Sequence, residues 1–145
     1  MNIAYLTTSL PDDVFSLLVS ASPIKPNPAG QNFHAKAIRS LALAGAHVNV
    51  YSMIPIPGYV KSNEIVFSEN LTYRLMNRYT SRLKNKISLV SHIVKAVEST
   101  WYKIPDILLY DSLNLTLSAV AMHLKKAHKI PVVAFLTDDP VNLSN

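Results

Sequence analysis

The stretch Ile104-Pro105-Asp106-Ile107-Leu108-Leu109-Tyr110-Asp111-Ser112-Leu113 decides the fold. Pro105 ends any helix that reaches it, because proline lacks an N–H and restrains the residue before it. Ile107 to Tyr110 is a short apolar run between turn-forming residues, which predicts a buried strand. Leu113, Leu117, Val120, Ala121, Leu124 and Ala127 then recur at helical spacing, predicting a helix from Leu113 to His128. On the other side, Leu83, Ile87, Val90, Val94, Val97 and Trp101 form an apolar stripe, predicting a long amphipathic helix from Ser81 to Tyr102. Helix, buried strand, helix is the repeating unit of a parallel α/β sheet.

The same grammar runs outward. Ile130-Pro131 leads into an apolar strand from Val132 to Leu136, followed by Thr137-Asp138-Asp139-Pro140. At the other end, Ile3-Ala4-Tyr5-Leu6 reads as a strand ending in Thr7-Thr8-Ser9-Leu10-Pro11. A long connection to Ala29 follows, broken by Pro11, Pro23, Pro26 and Pro28, with a turn of helix inside it at Val14–Val19. Such a loop in a compact domain is often a binding loop. Gly30 to Ala44 predicts a helix with Phe33, Ala37, Ile38, Leu41 and Ala44 inward, and Gln31, His34, Lys36 and Arg39 on other faces. Gly45 is its stop. His47–Ser52 is the second strand, and Glu64–Phe67 with Leu71–Leu75 reads as a hairpin. The expected fold is therefore α/β, a Rossmann-like parallel sheet with helices on both faces. Its main strands run in the order 3-2-1-4-5, with a switch point between the first strand and Ile107–Tyr110.

Composition narrows the function. The 145 residues suit one domain. The absence of cysteine excludes disulfides, thiolate metal sites and cysteine nucleophiles. No apolar run approaches membrane-spanning length, and the N-terminus lacks a basic signal-peptide region, so a cytoplasmic protein is expected. The net charge of +5 is concentrated. Arg74, Arg78, Arg82, Lys84, Lys86, Lys95 and Lys103 face the single acid Glu98 in that segment. Arg78, Arg82, Lys84 and Lys86, beside Leu83 and Ile87, could form a peripheral face toward anionic membrane, although a solvated helix face is the plainer reading. No nucleic-acid recognition motif is present.

Ligands of such sheets bind at the carboxyl ends of the strands beside the switch point. That rule selects Thr7-Thr8-Ser9 with the helix start at Gly30, Asp111-Ser112, and Thr137-Asp138-Asp139. Gly30 would offer helix N-terminal N–H groups to a phosphate or carboxylate; alternatively it only shapes the turn into the helix. Asp138 and Asp139 could bind a sugar hydroxyl or act as a base; alternatively they cap and turn the chain. Asp111 and Ser112 face the same choice, as a cap for the next helix. The histidines lack metal-ligand spacing, so no metal is expected; His34 reads as a solvated surface residue beside the crevice.

The opening strand and long loop, Pro28-Ala29-Gly30, the helix through Leu43, Ala44-Gly45-Ala46-His47-Val48-Asn49-Val50-Tyr51, Pro105–Tyr110 and Ile130–Phe135 together cover essentially the whole chain. They resemble the N-terminal domain of family-4-type retaining glycosyltransferases of the GT-B fold. Ala29-Gly30 stands for that family's Gly-Gly pair, Ala46 for the histidine after its helix-ending glycine, and Asp111 and Thr137-Asp138 where histidines are frequent. The resemblance implies that residues 1–145 are the acceptor-side domain of a larger enzyme whose C-terminal half grips a UDP- or GDP-sugar. Glu64, Glu69 and Glu98 do not reproduce the spaced glutamate pair of that half. Carried over, Asp138 is the catalytic-site residue and Gly30 approaches the donor diphosphate. Thr8, Gln31, Asp111, Ser112 and Asp139 contact substrate, a glycan or lipid-linked acceptor. The chain alone would not transfer sugar, and the basic cluster would suit a membrane-bound acceptor.

The competing expectation is a stand-alone α/β binding or interaction module without catalysis. A receiver domain needs acids directly after the first strand, and Asp12-Asp13 come too late. A flavodoxin needs a richer phosphate loop than Thr7-Thr8-Ser9-Leu10-Pro11.

Overall fold

The computed structural model describes residues 1–21, 28–55, 64–76 and 85–136. Its elements in chain order are β1 (Asn2–Thr7), α1 (Asp12–Ala21), α2 (Pro28–Leu43), β2 (His47–Met53), β3 (Glu64–Ser68), β4 (Leu71–Met76), α3 (Asn85–Glu98), β5 (Ile107–Asp111), α4 (Leu115–His128) and β6 (Val132–Phe135). The sheet order is β3-β4-β2-β1-β5-β6. All neighbours are parallel except the β3/β4 hairpin, where the register shifts between Val66 and Ser68. The protein is thus α/β with a Rossmann-like sheet. The expected order holds, with β3 added as an antiparallel edge.

Alternation along the strands builds two cores. Ile3, Tyr5, Val48, Val50, Leu71, Tyr73 and Leu109 point to one face and pack on Ile38 of α2. Ala4, Leu6, Tyr51, Met53, Met76 and Leu108 point to the other and meet α3 and α4 through Leu89, Ile93, Val97, Leu117, Val120 and Leu124. A third cluster of Leu10, Ile54 and Leu75 receives Val14, Phe15 and Leu18 of α1. The predicted turn of helix at Val14–Val19 is therefore a ten-residue helix. Asp12 and Asp13 lie in its first turn, where carboxylates favour the positive helix end.

The helix ends follow local chemistry. Gly45 has φ +87°, and the N–H groups of Gly45 and Ala46 donate to Ala42 and Leu41 carbonyls, a Schellman closure of α2. Asn114 caps α4, its side chain accepting from the N–H groups of Thr116 and Leu117. This corrects the expectation that Asp111-Ser112 cap a helix starting at Leu113. Leu113 precedes the helix and is exposed.

The inward face of α2 also differs from expectation. Gln31, His34, Ala35 and Ile38 are buried, while Phe33 is exposed. The apolar reading assigned the polar residues outward, but Gln31 and His34 find hydrogen-bonding partners inside. No helix among the described residues is long and apolar enough to cross a membrane.

Candidate functional site at the strand switch point

β1 pairs with β2 on one side and β5 on the other, so the chain leaves the carboxyl ends of β1 and β5 in opposite directions. The space between those ends is the switch-point crevice of an open sheet. β1 delivers Thr7, Thr8 and Ser9 there, β5 delivers Asp111 and Ser112, and α2 starts beside them.

The turn after β1 is locked from three sides. Ser9 N–H donates to Thr7 Oγ1 (2.9 Å), and Ser52 Oγ donates to the Ser9 carbonyl. Gln31 closes a two-way clamp on Leu10: its Oε1 accepts from Leu10 N–H (2.8 Å), and its Nε2 donates to the Leu10 carbonyl (2.6 Å). Gln31, expected to contact substrate, here holds the backbone of Leu10 with its side-chain amide. Thr8 remains half-buried between these anchors.

Gly30 lies in the first turn of α2 without a positive φ, and a Cβ placed on it would meet nothing within 4 Å. Neither a positive φ nor close packing calls for glycine at this position. What glycine supplies is bare backbone at a helix N-terminus.

At the end of β5, Asp111 Oδ1 accepts from Leu113 N–H (3.1 Å), and Ser112 donates from both N–H and Oγ to the Phe135 carbonyl (3.1 and 2.8 Å). These bonds tie the ends of β5 and β6 together. Asp111 Oδ2 faces inward, 3.6 Å from His34 Nε2. On the far side of that imidazole, Tyr5 Oη lies 2.7 Å from Nδ1. The side chains of His34 and Asp111 are 1% and 12% exposed, so Asp111 is the end of this buried row that solvent reaches.

Tyr5 Oη and His34 Nδ1 are hydrogen-bonded to each other, and the imidazole tautomer decides which of them donates. Burial lowers the His34 pKa below its ordinary 6.5, with Asp111 pulling the other way. Burial first, then the Asp111 charge, raises that of Tyr5. Both shifts keep the hydroxyl protonated and the imidazole neutral. At 3.6 Å the carboxylate is beyond hydrogen-bond reach, and Nε2 has no partner. The expected solvated His34 is thus a core residue. Its signal was the uninterrupted 31-34-35-38 spacing, whose polar members belong to the buried stripe.

Phe135 stacks on Tyr5 (5.7 Å between centroids) and Phe33 packs edge-on against Phe135 and His34, walling the row. No group of three or more metal-ligating side chains occurs among the described residues. Asp138 and Asp139 lie outside the described residues, as do Arg78, Arg82 and Lys84. Lys86 falls in the first turn of α3. No protein-family model matches the chain, and no curated protein matches it.

Proposed function

We propose that the crevice is the acceptor side of a sugar-nucleotide-dependent glycosyltransferase, transferring a hexose to a glycan or lipid-linked acceptor. What supports this reading is the partly accessible Asp111 carboxylate at the end of β5, together with a glycine in the first turn of the helix whose Gln31 clamps the chain after β1. Helix N-terminal N–H groups suit a diphosphate, and a partly accessible carboxylate suits a sugar hydroxyl. In this reading Gly30 approaches the UDP- or GDP-sugar, while Thr8, Asp111 and Ser112 line the acceptor. Asp138 is the catalytic-site residue, with Asp139 beside it. A second, donor-binding domain would complete the site. Exposed Leu113, Leu115 and Leu136 at this edge of the sheet give such a domain apolar surface to cover. The basic Arg78–Lys86 cluster would draw the protein to an anionic membrane surface at the cytoplasmic face.

The test is a titration of ¹⁵N-labelled protein with UDP-glucose, GDP-mannose and neutral oligosaccharides. Shifts confined to the amides of Thr8, Gly30, Asp111 and Ser112 support the reading; spectra unmoved by every probe overturn it. Gly30→Val adds bulk to the open backbone, so it should weaken binding by about tenfold or more while leaving the fold intact.

A further inference from the structure

The imidazole of His34 is held at one nitrogen and open at the other. Tyr5 Oη lies 2.7 Å from Nδ1, and a hydroxyl can serve that nitrogen as donor or acceptor, so this bond survives a change in the ring's charge. Nε2 is buried without a hydrogen-bond partner and faces Asp111 Oδ2 at 3.6 Å. Phe33 on the same helix and Phe135 on β6 stand edge-on to the ring, with centroids at 5.3 and 6.4 Å, and bring no charge. The titratable groups that face His34 are therefore Tyr5 from β1 and Asp111 from β5. Among the described residues, His34 is also the base within ion-pair distance of Asp111.

Asp111 is anchored at one oxygen. Oδ1 accepts from Leu113 N–H at 3.1 Å, which fixes the carboxylate to the turn after β5. Oδ2 lies beyond hydrogen-bond reach of Nε2, so the carboxylate keeps accepting capacity at the end of the row that solvent reaches. Burial holds the His34 pKa below its ordinary 6.5, and the Asp111 charge opposes that. Near neutral pH the ring is uncharged and the carboxylate is free of it. An imidazolium would donate from both nitrogens, and its Nε2 N–H would draw Oδ2 to the roughly 2.7–2.9 Å of a charge-assisted bond. That pairing takes up the oxygen and offsets its charge, so the carboxylate becomes a weaker acceptor for anything in the crevice.

Resting on the acceptor-side reading of the crevice, we propose that His34 is a positioning residue for Asp111: the neutral ring leaves the carboxylate to a ligand hydroxyl, and the protonated ring draws it inward. The crevice then holds a neutral, hydroxyl-bearing ligand at neutral pH and releases it on acidification.

The test is an NMR titration from about pH 8 to about pH 4.5, following the His34 ring, the Asp111 carboxyl carbon and the Leu113 amide. The Asp111 and Leu113 resonances should carry a step at the His34 midpoint. His34→Gln should abolish that step, and Asp111→Asn, a change at the solvent-reached end of the row, should lower the His34 midpoint. Glucose, maltotriose and methyl mannoside are then added at about pH 7.5. The sugar that moves the Asp111 and Ser112 amides should bind about tenfold more weakly about one unit below the His34 midpoint, where about a tenth of the protein keeps the ring neutral. The His34→Gln protein should bind it equally at both pH values. A His34 ring that stays neutral throughout, an Asp111 signal without the His34 step, or a sugar affinity that does not change with pH overturns this proposal and leaves the acceptor reading standing. Asp111 and Ser112 amides that no sugar moves overturn the acceptor reading, and the proposal with it.

Discussion

At the level of single residues, polar side chains that point inward hold the switch-point end of the sheet together. Gln31→Ala leaves the N–H and carbonyl of Leu10 without their partners, a loss of about 2–4 kcal/mol by urea denaturation. Gln31→Glu keeps the acceptor and loses the donor, so it should fall between. His34 makes a pH prediction. Its folded pKa lies below its ordinary 6.5, so between those two values the unfolded chain binds the extra proton. Its contribution is intact above 6.5 and is lost as pH falls through the depressed folded value. Urea midpoints should therefore drop on acidification below about pH 6.5, and His34→Gln should flatten that slope. A slope equal in both proteins would remove His34 as its source. This scale was the least legible in the sequence. Gly45 could be read as a stop because positive φ is a local demand. His34 and Gln31 show as inward only through the 31-34-35-38 spacing, because the groups they meet, Tyr5 and Leu10, are remote in the chain. Apolar periodicity has no means of scoring a buried polar residue whose partner is elsewhere.

At the level of elements, the caps decide where helices begin and end. Asn114 supplies acceptors to two N–H groups of α4, so Asn114→Ala should cost about 1 kcal/mol, read as a lowered thermal midpoint. At the other end Lys129 adopts a left-handed conformation, φ 56°, to close the helix onto Lys125. Glycine takes that conformation without the Cβ penalty, so Lys129→Gly should raise stability by up to about 1 kcal/mol. Strands were the most legible elements, because a parallel sheet buried on both faces writes itself as short apolar runs. Helix boundaries were less so. Leu113 fits the apolar repeat of α4 yet stands outside it, since Asn114 offers the cap one residue later. The helix α1 was read as a single turn because its contacts, Leu10, Ile54 and Leu75, lie outside its own segment.

For the molecule as a whole, protection should follow the sheet order. β1 lies between two parallel neighbours and its interior is wholly buried, whereas β3 is an edge strand with mostly exposed residues. Hydrogen exchange at Tyr5, Leu6 and Val50 should require global unfolding, and exchange within Glu64–Ser68 should proceed by local opening. Equal protection in β1 and β3 would contradict this layering. The topology itself was legible because crossover handedness and helix–strand alternation leave few choices, while the crevice's chemistry was legible only as a location. That same central strand carries a cost in time. Ile3 pairs with Ile107, 104 positions later, but with Val48 much sooner. At roughly 5–20 residues per second, one side of β1 can be zipped to β2 while the other waits about 3–12 s more for its partner to be synthesised. During that interval the nascent chain presents a long, unpaired apolar edge to the crowded surroundings of the ribosome, so the strand that ends most protected begins as the one most in need of a chaperone.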